Sequence, residues 1–258
     1  LKDASIEEAI RLNNVAVEMN LRAFAWGRVA AVEPDRLSEL VGLQNINDAP
    51  AFNLDQFIEA RIQDLTDYQN AAYAGRYRKI IESVVTAENK VDPGRINLTA
   101  AAARSLYKLM AYKDEYEVAR LYTDGSYMEK LRAQFDGDYQ LKFHFAPPLF
   151  AAKDRVSGEP KKKEYGAIMW RALKFLAPLK VLRGTPLDPF GYLAERREER
   201  ALIRDYEKVL DEIATGLAPD NYDIAVELVS VPLQIRGFGH VKSRAIEEAK
   251  AEELRLLA

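Results

Sequence analysis

The sequence predicts a mainly α fold, a helical bundle with long antiparallel helices plus a small β-hairpin. Three observations predict it. Apolar residues recur at three- and four-residue steps over most of the chain, as on one face of a helix. Turn residues such as Pro93-Gly94 and Asp124-Gly125 punctuate those runs. Two-residue alternation replaces the helical period in Asp138 to Phe145.

Ser5 with Glu8 three residues on has the spacing of a capping box, and Ile10, Val17, Leu21, Phe24 and Val29 follow at helical spacing. A first helix is expected over 5–32, with Asn13 and Asn14 as poor helix formers inside it. Glu33 to Phe52 lacks sustained periodicity and reads as a linker. A long helix is then expected from Asn53, capped in the N-x-x-Q manner by Gln56, to about Asn89. Phe57, Ile58, Ile62, Leu65, Tyr68 and Ala72 form its first stripe, and Tyr73, Tyr77, Ile80, Ile81 and Val84 its second. Unbroken, it would be about 50 Å long, with Gly75 as the expected bend. A second long helix, Leu98 to Thr123, returns across Val91-Asp92-Pro93-Gly94, and the pair forms the spine of the domain.

That second helix carries charge along its length. Leu106, Leu109 and Met110 open an apolar face, but stepping along it meets Lys113, Asp114, Glu117 and Arg120 before Leu121. Leu109, Tyr112, Tyr116 and Ala119 make a second stripe. Two readings follow. Either the helix is covered on more than one side and these four residues neutralise one another as a buried charge cluster or domain contact, or they form a solvated face of weak surface pairs.

Asp124-Gly125 ends the helix, and Ser126 with Glu129 starts a short one ending near Phe135. In the strand that follows, Tyr139, Leu141, Phe143 and Phe145 alternate with Gln140, Lys142 and His144, which puts His144 on the polar side. Asp154 to Pro160 reads as the tip of a hairpin, with Lys161 to Tyr165 as its return strand and the three lysines as a charged edge. Gly166 to Leu182 is helical and apolar nearly all round, kinked or ended by Pro178, and belongs in the interior or under another domain. Asp188-Pro189 reads as a helix cap and first position. A charged helix follows from Tyr192 to about Gly216, with Leu193, Leu202, Tyr206, Val209, Leu210 and Ile213 inward. Another opens at Pro219 or Asp220, passes through Ile224, Ala225, Leu228 and Val229, and stops at Pro232. The last helix spans 241–257.

Composition excludes several classes of chemistry. The 258 residues carry 37 Lys and Arg against 40 Asp and Glu, a net charge of −3, which points to neither nucleic acid nor an anionic membrane as partner. With no cysteine there are no disulfides, no thiol chemistry and no iron–sulfur ligation by this chain, and the composition fits a reducing, cytoplasmic compartment. His144 and His240 are its only histidines, and no H-E-x-x-H spacing exists. No apolar run reaches the length of a membrane span and no signal peptide opens the chain. Opening on Leu1 rather than methionine, the sequence reads as a piece of a longer polypeptide.

One loop has chemical character. Arg236-Gly237-Phe238-Gly239-His240-Val241-Lys242 sets two glycines and three side chains able to carry positive charge at a helix start. Glycines let backbone N–H groups turn toward an anion, and Arg236 or Lys242 can clamp a phosphate or carboxylate. The spacing is neither a dinucleotide fingerprint nor a P-loop. The alternative is a tight helix-to-helix turn in which Arg236 ties to a carboxylate such as Glu195 or Glu199.

Four segments carry a family resemblance: AIRLNNVAVEMNLRAFAWGR, LYKLMAYKDEYEVARLYTDG, the region from DYQLKFHFAPPL to LRGTPLDPFGY, and IRGFGHVK. Together they resemble the C-terminal region of fused indolepyruvate ferredoxin oxidoreductase-type proteins, of the 2-oxoacid:ferredoxin oxidoreductase superfamily. The first resembles the end of the gamma-type domain, with a doubled Asn where Asn-Gly is expected. The resemblance implies three parts: residues 1–32 as the tail helix of that domain, 33–52 as linker, and 53–258 as a helical C-terminal domain.

The resemblance further implies a parent enzyme that oxidatively decarboxylates arylpyruvates or related 2-oxoacids to acyl-CoA. Such a parent uses thiamine pyrophosphate with Mg²⁺ and passes electrons through iron–sulfur clusters to ferredoxin. None of those catalytic residues can be placed here, since the G-D-G thiamine motif with paired asparagines is absent and Gly137-Asp138-Tyr139 reads as a strand start. The implied role is structural, packing on other domains or subunits of the parent or within a homo-oligomer through the 113–120 face and the 168–182 helix. The alternative is an accessory domain that contacts CoA phosphates or a substrate carboxylate through Arg236, Gly237, Gly239, His240 and Lys242.

Overall fold

The computed structural model describes residues 2–13, 16–33, 52–134, 141–145 and 163–257. The chain divides into two compact units, Leu1–Phe52 and Asn53–Ala258. In the first, α1 (Asp3–Asn13) and α2 (Val17–Val32) replace the single helix expected over 5–32. The reason is local: Ala16 sits at φ 45°, a left-handed conformation that ends the helical path. Ser5 lies inside the first turn of α1, not at its cap, and its N–H bonds the Lys2 carbonyl. Of the expected linker, residues 34–51 lie outside the described residues.

The second unit is mainly α, and its spine is antiparallel but made of four pieces: α3 (Leu54–Tyr68), α4 (Ala71–Val91), α5 (Asn97–Met110) and α6 (Glu115–Thr123). Asn53 caps α3 as expected, its side chain accepting from Gln56 N–H at 2.9 Å. The expected bend at Gly75 falls instead at Gln69-Asn70, because Asn70 accepts from Tyr73 N–H at 2.9 Å and starts a new helix there. The expected Leu98–Thr123 helix is likewise broken at Ala111–Asp114, where Asp114 accepts from Glu117 N–H at 2.8 Å and caps α6.

The direction of packing is fixed by cross-helix hydrogen bonds. Tyr73 donates to the Met110 carbonyl, Tyr77 to that of Ala103, and Glu88 receives the N–H groups of Leu98 and Thr99. As the number rises along α4 it falls along α5. Glu88, buried, also accepts from the hydroxyls of Thr99 and Tyr222, so one carboxylate satisfies the open N-terminus of α5.

After α7 (Ser126–Gln134), two short strands pair antiparallel, β1 (Phe143–Phe145) and β2 (Lys163–Tyr165), with Phe143 opposite Tyr165 and His144 opposite Glu164. The expected hairpin tip and residues 135–140 lie outside the described residues, as does the side chain of His144. Next come α8 (Ala167–Leu176) and a 3-10 helix, Ala177–Leu182, which Pro178 opens because it lacks the N–H an α-helix needs. The chain continues through α9 (Ala194–Gly216), α10 (Tyr222–Ser230), a 3-10 turn at Val231–Gln234 and α11 (His240–Leu257). Asp188-Pro189 does not open α9, which starts five residues later.

The core has two parts. The larger is built from α3, α4, α5, α9 and α10 around Leu65, Tyr77, Ile81, Leu98, Leu106, Tyr206 and Val229, with Ile246 of α11 against it. The smaller joins Ala119 of α6, Phe143 of β1 and Leu173 of α8, with Tyr122, Met169 and Trp170 around them. Of the two places expected for Gly166–Leu182, the interior or under another domain, the interior of this unit takes only part of the stretch. Leu173 is buried, but Ile168 and Phe175, seven residues apart on the opposite side of α8, are 81% and 73% exposed. A helix apolar all round finds cover here on one stripe only.

Candidate functional site

Four chain segments end or begin where Ala111–Asp114 breaks the spine. Tyr68 and Tyr73, at the end of α3 and the start of α4, donate their hydroxyls to the carbonyls of Tyr112 and Met110 at 2.9 and 3.0 Å. Those carbonyls have lost their helical partners, and the tyrosines replace them. Into the same place comes Arg183, from the loop after the 3-10 helix. Its guanidinium meets Asp114 through two bonds, Nε to Oδ2 at 2.5 Å and Nη2 to Oδ1 at 2.8 Å, while Nη1 donates to the Tyr68 carbonyl at 2.7 Å. Its carbon lies 3.7 Å from the centre of the Tyr68 ring. Asp114 and Arg183 are 3% and 5% exposed, so this is a buried ion pair.

The acidic first turn of α6 supplies two more pairs. Glu115 is held by Arg196 at 3.1 and 3.2 Å. Glu117, also buried, is held by Nε and Nη2 of Arg120, each at 2.8 Å, and Arg120 reaches Asp64 at 3.5 Å. Three carboxylates at a helix N-terminus, where the macrodipole favours negative charge, are thus met by three arginines from α6, α9 and the Arg183 loop. Burial pushes the Arg183 guanidinium down, but Asp114 and the surrounding tyrosines outweigh it and hold the group above its ordinary value. Tyr68 and Tyr116 are pushed up, first by burial and then by Asp114 and Asp188 respectively.

Of the sequence-predicted cluster, Asp114, Glu117 and Arg120 come together here, with Glu117 and Arg120 paired at the three-residue spacing. Lys113 does not join them: it falls in the break, is exposed, and makes no ion pair among the described residues. Reasoning from spacing missed Arg183, Glu115, Arg196 and the tyrosines. A signal for the cap was present in Asp114-x-x-Glu117, the capping-box pattern; nothing local marks Arg183, which is distant in sequence.

The Arg236 loop is arranged differently. Gly237 and Gly239 have φ of 92° and 54°, and a Cβ on Gly237 would lie 2.6 Å from Val241 Cγ1, so the turn into α11 requires glycine there. Lys242 pairs with Glu199, one of the two carboxylates expected for Arg236. Arg236 and His240 are exposed, and Arg236 has no ion pair among the described residues. Nearby, Lys108 donates to the carbonyls of Pro232 and Leu233 at 3.1 and 2.7 Å; burial, then Arg236 and Lys242, push its ammonium below the ordinary range. Among the described residues, no three His, Asp or Glu side chains gather as a metal-binding group, and no helix is long and apolar enough to cross a membrane.

What these features define is a mainly α domain in which the three carboxylates at the start of α6 are each met by a guanidinium group. Residues 54–254 match the model of a family of unknown function (DUF6537), and the chain belongs to that family. No curated protein and no solved structure matches it.

Proposed function

We propose that this chain is a structural and assembly domain that packs on the catalytic domains of a 2-oxoacid:ferredoxin oxidoreductase of the indolepyruvate type and is not itself catalytic. The four resembling segments support the assignment. The observation that carries the assembly role is the outward face of α8, where Ile168 and Phe175 stand in solvent on a helix fixed from behind by Leu173 and Trp170. Large apolar side chains paired on one helix face mark contact surfaces.

Asp114, Glu115 and Glu117 are each taken up by an arginine, which leaves none of them free as an acid or base. The chain's donor set does not fit an iron–sulfur cluster, since it has no cysteine. On this reading the clusters, and with them thiamine pyrophosphate and Mg²⁺, are held by the partner domains.

The test is to mix the chain with the catalytic part of such an enzyme and follow association by sedimentation. Association that Ile168→Glu with Phe175→Glu abolishes, at unchanged Tm, is the expected result; turnover of an arylpyruvate by the chain alone, or thiamine bound to it, overturns the reading. A second reading, an accessory contact to CoA phosphates or a substrate carboxylate, is favoured by the exposed Arg236 beside Lys108. It predicts calorimetric heat with CoA that Arg236→Ala removes.

A further inference from the structure

The loop after Arg183 and the first two turns of α9 enclose an open recess of about 440 Å³. Its lining includes Arg197, Arg200, Thr185 and Tyr192, and no carboxylate. Arg197 and Arg200 are three residues apart on α9 and therefore share a side of the helix, an arrangement that like charges resist unless something negative lies between them. Arg196, on the same turn, has its acids in Glu115 and Glu199. Arg197 and Arg200 have none among the described residues, and Arg200 settles for the Gly191 carbonyl at 2.5 Å.

Asp188, beside the recess, does not serve as their counter-ion. Its Oδ1 accepts from Phe190 N–H and the Tyr116 hydroxyl, both at 3.1 Å, and its Oδ2 from Gly184 N–H at 2.9 Å. The loop is drawn tightly over this carboxylate, since a Cβ on Gly191 would come within 2.7 Å of Asp188 Oδ2. That closure holds the Gly191 carbonyl where Arg200 meets it. Tyr192 donates to the Pro186 carbonyl at 2.7 Å while its residue stays 60% exposed, which fixes a flat wall at the recess. No side chain caps the start of α9 at Leu193, so the partial positive charge of the helix end adds to that of the arginines.

We propose that this recess binds an oxyanion, the phosphate monoester or carboxylate of a small aromatic molecule, with Arg197 and Arg200 gripping the charged group and Tyr192 stacking on the ring. The site is separate from the Arg236 loop and does not depend on the assembly role. Guanidinium forks suit either anion, and the phenol ring suits a planar body.

The test is calorimetry of the full chain with phenyl phosphate, benzoate and inorganic phosphate. Saturable binding of phenyl phosphate or benzoate is expected, tighter than inorganic phosphate, weakening as salt rises. Binding of the ester alone assigns the phosphate class, and of benzoate alone the carboxylate class. Arg197→Ala should weaken it about tenfold or more, Tyr192→Ala should erase the advantage of the aromatic probes, and Arg236→Ala should leave the affinity unchanged. Arg197 is exposed, so its loss leaves the fold intact, as Tm will report. Absence of saturable heat with both aromatic probes, or an affinity indifferent to Arg197→Ala, overturns the proposal.

Discussion

Arg183 concentrates four duties in one side chain: it neutralises Asp114, closes the C-terminal carbonyl of α3 at Tyr68, lies on the Tyr68 ring and anchors the loop that follows it. Removing either charge of a buried pair leaves the other desolvated and unpaired, which typically costs about 3–5 kcal/mol. Arg183→Ala and Asp114→Ala should each lose about that much in denaturant unfolding, and the double variant less than their sum. Lysine cannot reproduce the fork or the stacking, so Arg183→Lys should also be clearly destabilised; a wild-type midpoint for it would remove the fork from the account. Asp114 itself was legible as part of a charged stretch, and its cap pattern stood in the sequence. Its partner was not legible, because a pairing across so long a separation leaves no periodic trace.

At the scale of helices, the same logic separates what could be read from what could not. The Asn53 cap of α3 is legible, since the capping oxygen and the N–H it accepts from lie within one turn. The breaks at Gln69-Asn70 and Ala111–Asp114 leave no mark on the pattern because the apolar stripes run through them in phase, and periodicity reports burial rather than continuity. Asn70 ahead of Ala71-Ala72 was the available clue. The N-terminus of α5 depends on a residue of another helix: Ile96 precedes α5 without a side-chain cap, and Glu88 of α4 performs that role from a distance. Glu88→Ala should therefore destabilise by about 2–4 kcal/mol, as several donors lose a charged acceptor at once. Glu88→Gln, which keeps the shape but not the charge, should lose less. Equal losses for the two variants, measured by thermal melting, would mean that charge at this position is immaterial.

For the molecule as a whole, mainly α architecture was readable because helical periods and turn residues agree along the chain. The two-part core was not, and of the buried ionic layer only the local Glu117–Arg120 part was, since the rest arises from contacts between distant segments. Tyrosine is the residue that ties those segments, and it sets a limit on pH. Tyr107 and Tyr222 are each pushed up to about 12 by burial first and then by Asp64 and Glu88, and burial raises Tyr73, Tyr77 and Tyr206 as well. The folded chain holds these phenolic protons to higher pH than the unfolded chain, whose tyrosines ionise near 10. Their contribution is fully present below about pH 10 and is lost as pH rises toward 12, because the native state then binds more protons. Urea midpoints should be flat near neutrality and fall steeply above about pH 10, with tyrosinate absorbance appearing together with unfolding. Ionisation of these phenols without loss of structure would contradict the burial described.

One more property follows from α6, which lends Ala119 to the smaller core and its first turn to the Arg183 junction beside the larger. A handful of side chains holds α8 in place, whereas α5 is enclosed by neighbours. Partial openings should consequently free α8 long before the rest melts, and in deuterium its amides should exchange early while those of α5 wait for global unfolding. A companion seated over Ile168 and Phe175 would slow that early exchange and leave the late phase untouched, so labelling kinetics would register a visitor to this helix even when no activity changes.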